Sequence, residues 1–246
     1  MNKYYTNNYP VANLYEKNSP KSKIVTQMIY GESFRIINKS SKWLKIKIKE
    51  DGYTGYIKKK KFIPYLKSTH KVSVLSANIY KNANFKKKIG KLSYVSKIKV
   101  EKISSKFSKF QNKWIETKNI KPIKYKNKNI FKDIEVFKGT KYKWGGKTFN
   151  GIDCSALIQV FLNFNNKFCP RDTGKQAKFF KKNISLKNIK KNDIIYWKGH
   201  VALALSTKKL IHAYGPRKKV LIMDIKKTVE LIKKTANLKV TAVKRI

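Results

Sequence analysis

Along the first 125 positions apolar and polar residues alternate in short runs. Phe34-Arg35-Ile36-Ile37, Trp43-Leu44-Lys45-Ile46-Lys47-Ile48 and Tyr53-Thr54-Gly55-Tyr56-Ile57 carry the two-residue period of half-buried strands, broken by glycine and Asp-Gly turns. The pattern also recurs. Val11-Ala12-Asn13-Leu14-Tyr15 returns as Leu75-Ser76-Ala77-Asn78-Ile79-Tyr80, each followed by a polar stretch, an alternating run and a tryptophan, Trp43 in one copy and Trp114 in the other. The period changes after Asp153. Apolar residues at 157, 158, 161, 162 and 164 then share one helical face, and Asp153 is a favourable N-cap for that helix. Two further strand-like runs follow at 201–205 and 210–214. The expected architecture is two small β-barrel modules, 1–66 and 67–125, ahead of an α+β domain over 126–246.

Composition narrows the functions open to such a chain. Its 246 residues carry a net charge of +46, with 59 basic and 13 acidic side chains. Only Arg35, Arg171, Arg217 and Arg245 among the basic residues are arginine, and the lysines are spread through every segment. Sequence-reading of nucleic acid relies on arginine forks, so the charge argues for solvated faces and for attraction of a polycarboxylate substrate, with no nucleic-acid partner. No His-Glu-x-x-His, paired Cys-x-x-Cys or glycine-rich phosphate loop occurs, so neither a metal nor a cofactor is expected. Residues 1–10 have no apolar leader core, and no run approaches the ~18 apolar residues of a membrane span. Two cysteines form no disulfide framework. A cytoplasmic protein without a membrane partner is the expectation.

The two cysteines differ in their surroundings. Cys154 falls in the first turn of the expected helix, where the backbone N–H groups favour an anion, and His200 and His212 lie downstream in the two strand-like runs. A hairpin of those runs sets the two rings side by side, with His200 as base to the thiol and His212 orienting it. Either histidine alone also suits a satisfied core position. Cys169, directly before Pro170 and without a helix start, reads as a buried structural thiol.

These residues sit in a longer series: Tyr142-Lys143-Trp144-Gly145-Gly146, Gly151-Ile152-Asp153-Cys154-Ser155, Pro170-Arg171-Asp172-Thr173 with Gln176, Asp193-Ile194-Ile195-Tyr196-Trp197, Gly199-His200-Val201 and Ile211-His212-Ala213. The series resembles the NlpC/p60 cysteine peptidases of the cell wall, over roughly residues 126 to 246. The resemblance implies a papain-like catalytic domain with Cys154 as nucleophile, His200 as general base, His212 fixing the imidazole and the Tyr142 hydroxyl near the oxyanion. The N-terminal repeat resembles bacterial SH3-like domains. Family members with such domains act on free murein peptides, which implies hydrolysis of the γ-D-glutamyl to diamino acid bond (meso-diaminopimelate or lysine), release of L-Ala-γ-D-Glu, and a role in wall-peptide recycling. It also makes Asp153, Ser155, Thr173, Glu32 and Tyr53 candidates for holding the free L-alanine amine, although Asp153 is equally a plain N-cap. Ala156 stands where relatives commonly have glycine, and a methyl suits a helix interior. The alternative is a non-catalytic wall- or nucleic-acid-binding protein with a relic triad.

Overall fold

Strands form where the alternation is cleanest. In the computed structural model, which describes residues 3–246, Trp43–Ile48 buries Trp43, Leu44, Ile46 and Ile48 while Lys45 and Lys47 stay half-exposed. This strand is central in a seven-stranded sheet ordered Ile24–Ile29, Val11–Tyr15, Thr54–Lys58, Trp43–Ile48, Ser33–Lys39, Tyr4–Thr6 and Ile63–Pro64. Leu14, Met28, Phe34, Ile46 and Ile57 fill its core.

The second segment forms two sheets. One has five strands, in the order Lys88–Ser93, Ser76–Tyr80, Lys113–Glu116, Phe107–Phe110 and Lys102–Ile103; the other joins Lys97–Ile98, His70–Val72 and Ile120–Pro122. The repeated tyrosine and tryptophan meet in both segments. Tyr15 packs edge-on against Trp43 with ring centroids 5.3 Å apart, and Tyr80 lies directly across the ladder from Trp114. The routes differ, because Thr54–Lys58 separates the strands of the first pair and nothing separates those of the second.

Beyond residue 126 an antiparallel sheet runs in the order Lys219–Asp224, Lys209–Tyr214, His200–Ala204, Ile194–Trp197 and Val240–Lys244. Alternation divides its faces. Ile194, Tyr196, Val201, Leu203 and Ile211 pack under helix α1 (Cys154–Phe164), whereas Ile195, Trp197, Ala202, Ala204 and Leu210 face helix α3 (Ile225–Ala236). A short helix α2 (Thr173–Phe179) follows α1. Helix α3 carries Asp224 as N-cap, its carboxylate accepting from Lys227 N at 3.0 Å, with Ile225 and Ile232 buried. Ten of the eleven α1 residues are buried, so the helix is covered on more than its sheet face. The second cover comes from the N-terminal segments: the Tyr94 ring lies 4.8 Å from Phe161 and 4.9 Å from Phe164. Among the described residues no helix is long and apolar enough to cross a membrane.

A fully buried lysine ties the second segment to the far end of α1. Lys71 Nζ donates to the carbonyls of Ile123 (2.9 Å), Tyr125 (2.7 Å) and Phe164 and to Asn166 Oδ1 (3.3 Å). No carboxylate pairs with it among the described residues; its partners are two loop carbonyls and the last carbonyl of α1, where the backbone dipole favours a cation. Lys71→Met keeps most of the volume and leaves the Tyr125 and Phe164 carbonyls without this donor, while Asn166 Nδ2 still serves Ile123. We expect about 2–4 kcal/mol of destabilisation in urea unfolding, and an unchanged midpoint would show the clamp to be dispensable.

Candidate active site

Helix α1 begins at the candidate nucleophile. Asp153 is extended (φ −96°, ψ 174°) and its Oδ1 accepts from Ala156 N at 2.9 Å, so Cys154 is the first helical residue. The turn before it depends on two glycines. At Gly145 (φ +70°) a Cβ would come within 2.8 Å of the Ile24 carbonyl in the first sheet, and at Gly146 one would lie 2.5 Å from the Gly151 carbonyl. The nucleophile turn is thereby seated against the N-terminal sheet.

Arg171 fixes that seat. Its Nη1 donates to Asp153 Oδ1 (2.9 Å) and Ser155 Oγ (2.8 Å), Nη2 to Asp153 Oδ2 (2.5 Å), and Nε crosses to Thr26 Oγ1 of the first sheet (2.7 Å). The guanidinium is 3% exposed. Burial alone would lower its pKa, but the Asp153 carboxylate outweighs burial and holds it charged. Asp153 accepts in addition from Gly145 N (3.0 Å) and from Ser155 Oγ (3.1 Å).

The two histidines face each other across adjacent strands. His200 Nε2 lies 2.9 Å from His212 Nδ1, and His212 Nε2 lies 3.3 Å from Met223 Sδ on the next strand. A thioether accepts and never donates, so the proton of His212 belongs on Nε2. Its Nδ1 then accepts from the His200 Nε2–H, which leaves the lone pair of His200 on Nδ1. The backbone N–H of the adjoining residue, Val201, lies near enough to the Cys154 thiol to favour its anion. His212 also stacks on Tyr214, with centroids 4.8 Å apart and planes 8° apart, which holds its ring in place.

Electrostatics at rest differ from the depressed thiol expected from the sequence. Burial, followed by the neighbouring Asp153 charge, pushes the Cys154 thiol up to about 12, against the help of the Val201 and Ser155 N–H groups. Burial likewise lowers His200 to about 4, and burial with the His200 neighbour lowers His212 to about 3. The resting pair is therefore a neutral thiol and a neutral imidazole. Tyr142 is half-buried; its phenol is raised by burial and then by the nearness of Cys154 and Asp153, which places it beside the nucleophile.

The residues expected to hold an amine fall into two groups. Asp153 and Ser155 are buried and bonded to each other and to Arg171. Glu32 is a correction to the expectation. Its Oε1 lies 2.6 Å from Lys147 Nζ, its Oε2 accepts from Ile29 N, and it is 2% exposed, so a lysine of the chain itself already occupies the carboxylate. Tyr53 and Thr173, at the first residue of α2, remain half-exposed. After burial itself Tyr53 feels Asp172 most strongly, then the opposing Arg171 and then Asp51, so both carboxylates and the guanidinium share its surroundings. Asp51, Asp172 and Met223 were not legible as site residues: an Asp-Gly turn, a motif neighbour and a strand methionine are each ordinary in sequence. Cys169 is fully buried, with Sγ 3.5 Å from the Pro170 carbonyl, as a structural thiol should be. Among the described residues no group of three His, Cys, Asp or Glu side chains is arranged to hold a metal.

Comparison with known proteins supplies the family context. Residues 139–236 match the NlpC/P60 family, and residues 14–62 match the bacterial dipeptidyl-peptidase Sh3 domain. The chain is 23% identical over 233 residues to a dipeptidyl-peptidase 6 of Lysinibacillus sphaericus, covering 82% of this chain and 84% of that one. A probable endopeptidase NlpC homolog of Haemophilus influenzae is 35% identical over 80 residues, which is 30% of this chain and 42% of that one. In fold, the crystal structure of an NlpC/P60 family protein from Bacillus cereus superposes with a TM-score of 0.84 at 18% identity, over 99% of both chains.

Proposed function

We propose, for a chain that carries an NlpC/P60 domain behind a bacterial dipeptidyl-peptidase Sh3 domain, that it hydrolyses the γ-D-glutamyl bond to the diamino acid of murein peptides and releases L-Ala-γ-D-Glu. Peptide-bond cleavage in peptidoglycan is the business of this family; the bond, the free amine and a role in recycling wall peptides are our reading. The observation that carries it is the chain of contacts from Met223 through His212 to His200, which leaves a lone pair on Nδ1 of the residue that adjoins Val201, whose backbone N–H acts on the Cys154 thiol.

His200 Nδ1 takes the proton of Cys154 as the thiol sulfur attacks the γ-carbonyl carbon. Burial penalises thiolate and imidazolium separately, but the transfer creates them as neighbours, so each offsets part of the cost of the other. Charge gathers on the carbonyl oxygen, where the Cys154 backbone N–H and the Tyr142 hydroxyl are the donors at hand. The imidazolium gives its proton to the leaving amine as the C–N bond breaks, and the thioester remains. Water, deprotonated by His200, then releases the dipeptide and restores the thiol.

A base held near 4 stays unprotonated in mildly acidic solution, because burial disfavours the imidazolium. The kcat/KM profile of the free enzyme is therefore expected to keep its plateau through pH 5.5 and to fall as pH drops toward 4. An acid limb centred at or above the ordinary histidine value of about 6.5 would contradict a neutral resting pair.

The free end of the substrate belongs at the seam between the first sheet and α2. Tyr53, Thr173, Asp51 and Asp172 supply a half-exposed rim there, in which, among the described residues, only the exposed and loosely held Lys175, 3.6 Å from Asp172, competes for a carboxylate, and Asp153 with Ser155 act behind it by fixing Arg171 and the nucleophile turn. Glu32 holds Lys147 and braces the same seam. The recurrence of a tyrosine and a tryptophan, in ring contact in the first segment and cross-strand partners in the second, supports reading 67–125 as a second SH3-like module, with the catalytic domain from 126. Acetylating the alanine amine of L-Ala-γ-D-Glu-diaminopimelate should lower kcat/KM at least about 100-fold, because a site built for an ammonium rejects its amide. Equal rates for the two substrates would remove the amine pocket from the account.

A further inference from the structure

The acyl side of the site lies against the N-terminal sheet, which touches the nucleophile turn through Ile24 and Thr26. A cavity of 510 Å³ opens beside His200. Tyr142, His200 and Tyr214 line one part of it, and Leu231 and Ile232 of α3 with Leu238 just beyond that helix supply its apolar lining. No residue of the N-terminal segments lines it, so a peptide whose amino end is held at the Tyr53 rim has its other end directed here. The volume has ample room for an amino acid with a long side chain.

The charge of this cavity is one-sided. Lys198 and Arg217 line its mouth, and no Asp or Glu does. Both cations are exposed, and among the described residues neither forms an ion pair. Arg217 ends the Gly215–Arg217 turn that directly follows the strand of His212, so its position is tied to the catalytic sheet.

Resting on the peptidase reading above, we propose that this cavity receives the leaving diamino acid, and that Lys198 and Arg217 select one whose side chain ends in a second carboxylate over one that ends in an ammonium alone. The apolar wall takes the methylene chain common to both. The two cations meet the extra carboxylate of diaminopimelate, which also neutralises the ammonium beside it, whereas the lysine ammonium brings an uncompensated third positive charge to a cavity with no anion.

The test compares kcat/KM for L-Ala-γ-D-Glu-meso-diaminopimelate and L-Ala-γ-D-Glu-L-lysine in the full-length protein, in Arg217→Glu and in Arg217→Glu with Lys198→Glu. The wild type is expected to favour diaminopimelate by about tenfold, and the charge-reversed double variant to favour lysine, with faster lysine-peptide turnover than the wild type shows. Damage to folding cannot produce that gain. A ratio near one in the wild type, or a preference that survives both reversals, overturns the selectivity. Failure of the wild type to cut either tripeptide is a different result: it removes the peptidase reading itself, and this inference with it.

Discussion

Replacing Cys154 by serine is expected to remove turnover of the murein tripeptide, by at least about 10⁴-fold in kcat, with the fold retained. The geometry makes the loss severe. His200 is lowered to about 4 by burial, and in the proposed mechanism the nucleophile arises only as one proton passes from sulfur to Nδ1 at the moment of attack. A serine hydroxyl is far less acidic than a thiol and its oxygen is harder to ionise in a buried setting, so the same imidazole cannot activate it. The size of the side chain changes little, and the backbone N–H groups of Val201 and Ser155 still find an acceptor. Circular dichroism should therefore be unchanged while product release ceases. A serine variant with a tenth of the parent rate would mean that sulfur chemistry is not the slow or the essential step.

The second large effect is on stability. Arg171→Leu should destabilise the protein by about 3–5 kcal/mol, because it leaves the Asp153 carboxylate, 6% exposed, without its counter-ion. Other donors soften the loss: Gly145 N, Ala156 N and Ser155 Oγ continue to bond Asp153. They are neutral, and the bond from Nε to Thr26, which holds the first sheet to the catalytic domain, is lost as well. For a chain of this length the change corresponds to a fall in Tm on the order of 10 °C. Removing the exposed pair of Lys175 with Asp172, 3.6 Å apart, should change stability by less than about 1 kcal/mol and serves as the comparison. Equal melting of the two variants would show that Arg171 is not the fastener between domains.

The sequence was most informative where chemistry depends on neighbours in the chain. Asp153 as cap, Cys154 at the first helical position and the apolar face of α1 are all set within one or two turns, and each is found where the periodicity put it. The hairpin partnership of His200 and His212 was legible for a similar reason, since twelve residues with two strand runs leave few ways to pair. Contacts between distant segments were not. Arg171 with Thr26, Lys147 with Glu32 and Lys71 with Phe164 join residues 145, 115 and 93 positions apart, and nothing in the local pattern of a lysine marks it as buried. Glu32 was misread on that account: its partner lies in another domain. The thiol was misread because a helix start and an imidazole are visible in sequence, whereas the burial that overrides them is a property of the folded whole. Helix α3 had visible signals in Asp224 and in the apolar spacing of Ile225, Val229 and Ile232, and they mattered only once a cavity was found along its side.

The central claim is that the Cys154 sulfur becomes covalently joined to the γ-glutamyl group. Rapid quenching of the protein with L-Ala-γ-D-Glu-meso-diaminopimelate, followed by intact-mass and peptide-level mass spectrometry, tests it directly. The account predicts a transient L-Ala-γ-D-Glu adduct on Cys154, formed with release of diaminopimelate and absent from the Cys154→Ala variant. Hydrolysis that proceeds equally in that variant, with no adduct on the parent protein, would contradict it.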